Sequence, residues 1–249
     1  MIDFCVSLTS IPSRINNIHE TIESINNQSL KPKKIFLNLP KRYKRFPEYK
    51  YSEKQISMLR KYNLEVVRCQ DYGPATKLMG SISDIKNNFE CVILIDDDHI
   101  YHEKTFEIFI DNFKKERINY SFYLNKIFNI RNGQCSDGLL INTRFLDNIE
   151  LFYEIYVKNN KNMFLDDDLW FAIYLYCEKK TYIRNIIQEF RKRTGENLSY
   201  KQSVNKDIDA LHQIEHKNKR FINRRKIQKI EYLKYIFKKK FNILFKNNF

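Results

Sequence analysis

Short apolar runs alternate with segments of helical periodicity through the first 115 residues. The runs that have the length and character of buried strands are 4–10, 33–40, 64–69 and 91–95. The segments whose apolar spacing or flanking residues predict helices are 14–28, 53–62, the stretch that follows Pro74, and 103–115. This alternation predicts an α/β fold with a mainly parallel sheet flanked by helices. Ligands of such sheets bind beyond the carboxyl ends of the strands.

Three consecutive aspartates, Asp96, Asp97 and Asp98, follow the apolar run 91–95 directly. Neighbouring like charges disfavour one another's ionisation, so a positive partner is expected. Closely spaced carboxylates suit a hard divalent cation, Mg²⁺ or Mn²⁺, which completes its shell with phosphate oxygens and water. An acidic loop that caps the next helix is the alternative.

A second acidic cluster, Asp166–Asp168, precedes a helical apolar pattern in "LWFAIYLY". The helix macrodipole stabilises negative charge at an N-terminus, so a carboxylate there can stay ionised and act as a general base. Simple N-capping is the alternative. The scarce glycines of "YGPATK" and "NGQCSDG" predict unusual backbone angles or a close approach to a ligand, with ordinary turns as the other interpretation.

The ordered segments "SLTSIPSR", "DYGPATKL", "DDD", "SDGLLINTRF" and "DDLW" resemble nucleotide-sugar glycosyltransferases of the GT-A fold, close to family 2-like enzymes, over residues 3–190. The resemblance implies a Rossmann-like domain and a UDP-sugar donor. It implies that Asp96 and Asp98 form a DxD motif that binds metal and sugar diphosphate. It also implies that Asp168, or as second choice Asp167, is the base of an inverting transfer.

The resemblance implies further donor-binding residues. Those expected to border the nucleotide, its ribose, the diphosphate or the sugar are Thr9, Ser10, Arg14, Asp71, Lys77, Asp97, Asp137 and Gly138. For Lys77 a solvated helix face is an equal alternative. His212, with His216 as its competitor, is the candidate third metal ligand. His99 is expected to be a surface imidazole. The chain has no QxxRW signature, which favours transfer of a single sugar.

The net charge of +14 is unevenly distributed. Residues 217–249 contain twelve Lys and Arg against one acid, which predicts a domain at 1–216 and a basic helical extension at 217–249. The apolar residues Ile230, Leu233, Phe237, Phe241 and Leu244 recur at spacings of three or four. This stripe could pack on the domain or lie on an anionic membrane surface, and nucleic acid is the least favoured partner.

The N-terminus lacks the pattern of a signal peptide, no run of 18 apolar residues occurs, and the five cysteines form no CxxC pair. We therefore expect a cytoplasmic enzyme, with peripheral membrane contact through 217–249 left open. The expected acceptor is a glycan, glycolipid or protein. Two other classes stay open: a metal-dependent nucleotidyl or phosphoryl transferase, and a non-enzymatic protein that binds membranes or nucleic acid through its basic extension.

Overall fold

A seven-stranded, mostly parallel sheet forms the centre of the molecule. The computed structural model describes residues 2–186, 200–203 and 220–246. The strands are β1 (Phe4–Thr9), β2 (Lys34–Pro40), β3 (Glu65–Cys69), β4 (Cys91–Leu94), β5 (His99–Tyr101), β6 (Asn119–Ser121), β7 (Leu124–Ile127), β8 (Ile130–Gly133), β9 (Leu139–Asn142), β10 (Ile183–Asn185) and β11 (Tyr200–Ser203). The sheet order is β10-β6-β9-β4-β1-β2-β3, and only β9 runs antiparallel to its neighbours β4 and β6. The predicted α/β fold class is confirmed.

Helices cover both faces of this sheet. They are α1 (His19–Asn26), α2 (Glu53–Leu59), α3 (Thr76–Met79), α4 (Ile82–Asn88), α5 (Thr105–Lys115), α6 (Ile149–Phe152), α7 (Lys161–Phe164), α8 (Asp167–Ile173) and α9 (Arg220–Lys246). Alternate residues of β1 point to opposite faces, so Phe4 and Leu8 join one hydrophobic core and Cys5 joins the other. The first core contains side chains of α1, α2 and α5, and the second contains those of α3, α4, α6, α7, α8 and Tyr235 of α9.

Two predicted helices differ from those observed. The first begins at His19 instead of Arg14, because residues 12–18 form turns that leave the Arg14 side chain directed at Asp97. The helix predicted after Pro74 is divided into α3 and α4 at Gly80, which packs against Asn38 so closely that a Cβ would lie 2.6 Å from the Asn38 Oδ1 atom.

Two of the scarce glycines have the left-handed backbone that the sequence suggested. Gly73 has a φ of 66°, and a Cβ there would lie 2.4 Å from the backbone oxygen of Phe164, so the loop before α3 contacts the end of α7 directly. Gly138 has a φ of 97°, and its Cβ would lie 2.7 Å from the ring of Phe109. Each position therefore excludes a side chain for two independent reasons.

The long helix α9 packs against the body of the molecule. Tyr235 is buried in the core, and Glu231 accepts hydrogen bonds from the side-chain amides of Asn160 (2.6 Å) and Asn162 (2.9 Å) at α7. Among the described residues, none of the helices combines the length and the apolar character that crossing a membrane would need.

Replacement of Gly138 by alanine should lower the free energy of unfolding by roughly 1–3 kcal/mol, because it adds left-handed strain to a contact with Phe109. Urea denaturation followed by circular dichroism measures this loss. In a Phe109→Leu background the same substitution should cost less, since only the backbone strain remains. Unchanged stability of Gly138→Ala would contradict the close packing described here.

Candidate active site

A polar cavity of about 530 Å³ opens beyond the carboxyl ends of β1, β3 and β4. Ten of the residues singled out from the sequence line it: Thr9, Ser10, Arg14, Asp71, Lys77, Asp96, Asp97, Asp98, Asp167 and Asp168. The acidic triplet and the second acidic cluster are at least 68 positions apart in sequence, and the parallel sheet brings both to one edge. The triplet does not cap α5, the next helix in the described part of the chain, since β5 lies between them.

The middle aspartate of the triplet, Asp97, is buried and is bound by side chains of the protein. Asp97 is 5% exposed, accepts a hydrogen bond from the Ser10 hydroxyl, and pairs with the Arg14 guanidinium at 2.9 Å. The same Nη1 atom lies 3.3 Å from an Asp98 carboxylate oxygen. Burial raises the pKa of Asp97, and Arg14 opposes this shift. Arg14 is thus one of the positive partners that the triplet requires.

Lys77 is the second positive partner, and it joins the two acidic clusters. Its side chain is 3% exposed, and its ammonium pairs with Asp96 and lies 3.2 Å from the Asp167 carboxylate. Burial lowers the pKa of Lys77, but the charges of Asp167 and Asp96 outweigh burial and raise the pKa above its usual range. The alternative of a solvated helix face is therefore wrong for Lys77, which stays charged inside the protein.

The three aspartates of the second cluster make different contacts. Asp166 is the N-cap of α8 and accepts from the backbone N–H of Leu169 at 3.3 Å. Asp167 pairs with Lys77, and burial raises the Asp167 pKa. Asp168 accepts from the backbone N–H of Cys135 at 3.0 Å. N-capping therefore explains Asp166 alone and leaves the other two carboxylates facing the cavity.

Arg224 of α9 reaches this cluster from the basic extension. Its guanidinium binds Asp166 through two hydrogen bonds, of 3.1 Å from Nε and 2.9 Å from Nη2. Nη2 also lies 3.3 Å from an Asp168 oxygen, and Gln228 donates to Asp166 at 2.9 Å. A bidentate arginine fixes both position and orientation of its carboxylate partner. The start of α9 is thus part of the cavity wall.

The carboxyl group of Asp168 has the properties of a general base. Burial, and next the charge of Asp167, raise the Asp168 pKa to about 7, while Arg224 opposes the shift. A base with a pKa near the working pH combines a useful ionised fraction with a strong affinity for the proton. Asp168 also lines the cavity, so a substrate hydroxyl there could reach it.

The charge balance of the cavity fits a divalent cation. Among the described residues, six aspartates and four cationic side chains (Arg14, Arg45, Lys77 and Arg224) line it, which leaves a formal excess of two negative charges when all six carboxylates are counted as ionised and His99 as neutral. An anionic diphosphate would be repelled by this excess. Asp96 and Asp98 offer hard oxygen ligands, the kind that Mg²⁺ and Mn²⁺ prefer. The residues present therefore fit the metal implied by the resemblance.

A different group of possible ligands fits less well. The Cys135 thiol, Asp167 and Asp168 have ligand atoms within 4.8 Å of one another. Burial raises the pKa of Cys135 well above its ordinary range, so the thiol stays protonated. A sulfur ligand is soft, whereas Mg²⁺ and Mn²⁺ prefer hard oxygen ligands, so Asp96 and Asp98 are the better candidates for these ions.

Other predicted residues lie at the margin of the cavity or outside the description. Asp71 is buried and accepts from the backbone N–H groups of Lys44 (2.7 Å) and Gly73 (2.8 Å), so it orders two loops of the rim. Asp137 and Gly138 follow Ser136, which lines the cavity, but are not lining residues themselves. His212 and its competitor His216 lie outside the described residues.

The interpretation of His99 as a surface imidazole is wrong. Its side chain is 13% exposed, and Nδ1 lies 2.7 Å from an Asp98 oxygen. Burial lowers the His99 pKa, but the Asp98 contact outweighs it and raises the pKa. His99 lines the cavity and adds positive charge beside the triplet when protonated.

Several functional side chains were missed by sequence analysis. Tyr101 accepts from the backbone N–H of Asp96 at 3.1 Å and donates to the Ser136 oxygen at 3.1 Å, which ties the triplet to the neighbouring loop. Arg45 and Arg224 line the cavity, yet each stands in a basic stretch where nothing distinguishes it from its neighbours. Arg224 is identified by its contacts with Asp166 and Asp168, and Arg45 by its place in the cavity wall.

No protein-family model matches the chain, and no curated protein matches it. Among solved structures it is similar to the mannosyltransferase PcManGT from Pyrobaculum calidifontis in complex with GDP-Man and Mn²⁺, at 12% identity and a TM-score of 0.45, over 59% of this chain and 46% of that one. It is also similar to residues 1–349 of TarS from S. aureus, at 13% identity and a TM-score of 0.48, over 70% and 55% of the two chains.

A third similar structure is glucosyl-3-phosphoglycerate synthase from Mycobacterium tuberculosis with Mn²⁺, UDP and glucosyl-3-phosphoglycerate, at 12% identity and a TM-score of 0.43, over 58% of each chain. The matched region thus spans between 46% and 58% of these three proteins. These neighbours include the class of enzyme that the sequence motifs resemble. At such identities the likeness concerns the fold alone, and the chemistry of this chain is argued from its own residues.

Replacement of Lys77 by methionine should lower the free energy of unfolding by roughly 3–5 kcal/mol, because two carboxylates lose their buried cation. The loss should be smaller at pH 5 than at pH 8, because burial raises the pKa of Asp167 and the variant lacks the ammonium that opposes this shift, so the buried carboxyl can take up a proton at the lower pH. Urea titrations in a metal chelator at both pH values measure it. The control, Lys33→Met, removes an exposed pair with Asp3 and should cost under ~1 kcal/mol. Equal losses for the two variants would contradict a buried role for Lys77.

Proposed function

We propose that this protein transfers a sugar from a nucleoside diphosphate sugar to an acceptor hydroxyl. The observation that carries the proposal is the contact of one buried ammonium, that of Lys77, with Asp96 of the acidic triplet and with Asp167 of the second cluster. A candidate metal-diphosphate site and a candidate base therefore face the same cavity. Glycosyl transfer with inversion needs both, one on each side of the reacting carbon.

Asp96 and Asp98 are the residues that would hold a divalent cation. When bound, Mn²⁺ or Mg²⁺ would neutralise the diphosphate and make it a better leaving group. Arg14 and Lys77 flank these carboxylates and supply two further positive charges to the same region. The wall at Thr9 and Ser10 borders the nucleotide in this proposal, and UDP is the nucleotide expected from the sequence resemblance.

Asp168 is the proposed base, with Asp167 as the second choice. Burial raises the pKa of Asp167 as well, but Lys77 opposes that shift and pairs with the Asp167 carboxylate. Asp168 has a pKa raised to about 7 and is oriented by the Cys135 N–H and by Arg224. It would remove the proton of the acceptor hydroxyl as that oxygen attacks the anomeric carbon in line.

We propose that both predicted parts of the chain, the domain at 1–216 and the basic extension at 217–249, contribute to the active site. Residues 1–216 would carry donor and metal binding, while the extension, 217–249, contributes Arg224 to the wall beside the base. The acceptor is expected to be a glycan, a glycolipid or a protein. The surface around the cavity would select among these classes, because the reacting groups themselves require only a hydroxyl.

Calorimetric titration with nucleoside diphosphates tests the donor site. We expect UDP to bind in the presence of Mn²⁺ and to bind at least about 10-fold more weakly without it, because the cavity carries excess negative charge. An Asp96→Asn/Asp98→Asn variant should lose the metal-dependent part. Asp168→Asn, which leaves these ligands intact, should keep it. Binding of neither UDP nor GDP with any metal would contradict the proposed donor class.

Loss of the base should separate binding from turnover. Asp168→Asn should lower the transfer rate by roughly 10²- to 10⁴-fold, the usual contribution of a general base, while UDP affinity changes little. The rate of the parent protein should rise with pH through about 7, because Asp168 can accept a proton only in its ionised form. The exposed Asp111→Asn serves as a control with parental activity. Parental turnover by Asp168→Asn would remove Asp168 from the mechanism.

A further inference from the structure

The helix α9 attaches to the body through a face that is polar and aromatic. Its inward residues recur every three or four positions and are Arg224, Gln228, Glu231, Tyr235 and Lys239. Glu231 is 1% exposed and is held by the amides of Asn160 and Asn162. The Tyr235 hydroxyl donates to Glu178, and Lys239 pairs with Glu178 at 2.9 Å. The helix therefore docks without using its aliphatic residues as the main contact.

The opposite face carries an exposed stripe of large apolar side chains. Ile230, Leu233, Phe237 and Phe241, called the exposed stripe below, are 41%, 55%, 72% and 51% exposed. Their spacing of three and four places them on one side of the helix over roughly 16 Å. The alternative that the apolar stripe packs on the domain is therefore wrong for these four residues, and the side chain of Leu244 lies outside the description. An amphipathic helix normally buries such a stripe, and a contiguous exposed one marks an interaction surface.

The stripe is surrounded by positive charge. Lys226, Lys229, Lys234, Lys238 and Lys240 are all exposed and lie within about one turn of members of the stripe. The single acid of the helix, Glu231, is buried toward the body, and of these five lysines it pairs with Lys234, at 3.0 Å. The partner of this surface must therefore accept aliphatic and aromatic side chains and offer negative charge around them.

A neighbouring cleft extends the same surface. It has a volume of about 530 Å³ and lies between α9 and the segment that precedes β10. Tyr176, Tyr182, Tyr232 and Ile236 provide its walls, and Lys180, Lys239 and Lys240 also line it. Apolar walls beside ammonium groups repeat the chemistry of the exposed stripe.

A second copy of this chain and a nucleic acid each meet only one of the two requirements, contact with apolar side chains and negative charge around them. A second copy of this chain docked through the same face would bring the lysines of both copies together, and like charges repel. Nucleic acid would pair with the lysines, and phenylalanines can stack on bases. However, Ile230 and Leu233 would gain nothing from a base or a phosphate.

We propose that the exposed stripe of α9 docks on an anionic lipid bilayer, with the stripe in the headgroup and acyl boundary and the lysines among lipid phosphates. Amphipathic helices that combine apolar side chains with lysines bind such surfaces through both contributions. The proposal does not require the glycosyl transfer proposed above. Because α9 begins at the cavity wall with Arg224, docking would hold the cavity near the bilayer surface, where a lipid-linked acceptor would present its hydroxyl.

Vesicle co-sedimentation of the full chain tests this surface. We expect binding to phosphatidylcholine vesicles that contain roughly 30 mole per cent phosphatidylserine, weak binding to pure phosphatidylcholine, and a decrease as salt is raised. A Leu233→Gln/Phe237→Gln variant should bind these vesicles at least about 10-fold more weakly than the parent. A Lys226→Gln/Lys240→Gln variant should lose several-fold in affinity together with part of the salt dependence.

The matched control is Met58→Gln, which alters an apolar side chain of α2 that is 53% exposed and should bind vesicles like the parent. Thermal unfolding of each variant verifies that it is folded. The Asp96→Asn/Asp98→Asn variant should also bind vesicles like the parent, so that failure of donor binding and failure of membrane docking are read separately.

Three results would overturn the proposal. One is equal binding of the parent and the Leu233→Gln/Phe237→Gln variant to anionic vesicles. Another is absence of binding by the folded parent. The third is stripe-dependent dimerisation in sedimentation velocity without lipid, which would assign the surface to a second copy of the chain.

Discussion

The burial of many carboxylates around one cavity is the constraint on which the rest of this structure depends. Six aspartates line the described part of the cavity wall, and bringing them together is unfavourable unless cations accompany them. Arg14 meets the triplet from the turn after β1, Lys77 joins the triplet to the second cluster, and Arg224 holds the second cluster from α9. Three separate parts of the chain are thereby fixed relative to one another.

This arrangement explains why the two acidic clusters differ chemically although both contain three aspartates. In the triplet, the middle residue Asp97 faces the interior, and Asp96 and Asp98 are left toward the cavity. In the second cluster, Asp166 caps α8 and Asp167 pairs with Lys77, which leaves Asp168 with a raised pKa. In the proposed function, the permanent cations set which carboxylates would be available for a metal and which one for a proton.

The sequence predicts those parts of the molecule whose signal is local. The apolar run before Asp96 identifies a buried strand, and the carboxyl ends of parallel strands must share an edge, so the position of the cavity follows. The start of α1 is not predictable in this way. Ile15 and Ile18 are buried in a turn just as they would be in a helix, and the spacing alone cannot separate these cases. The short strands β6 to β9 have three or four residues each and give no periodic signal.

Residues whose role depends on distant partners could not be found from the pattern. Arg224 is one of twelve cationic residues of the extension, and its contact with Asp166 spans 58 positions. The same applies to the orientation of α9. Periodicity predicts an amphipathic helix, but the contacts of Asn160 and Asn162 with Glu231 turn that face toward the body. Ile230 and Leu233 are thereby left exposed. The helix therefore connects the cavity wall to the exposed stripe.

In the proposed reaction, the protein cleaves the bond between a sugar and a nucleoside diphosphate. Incubation of the protein with Mn²⁺ and a panel of UDP- and GDP-sugars, followed by phosphorus NMR of the products, tests this reaction, because the phosphorus signals identify which bond is broken. The paramagnetic Mn²⁺ broadens these signals, so it is removed on a chelating resin before the spectra are recorded. We expect one donor to give a nucleoside diphosphate as the only new phosphorus species, and Asp96→Asn/Asp98→Asn to abolish its formation. Release of pyrophosphate or inorganic phosphate by the parent protein would contradict glycosyl transfer and indicate nucleotidyl or phosphoryl transfer.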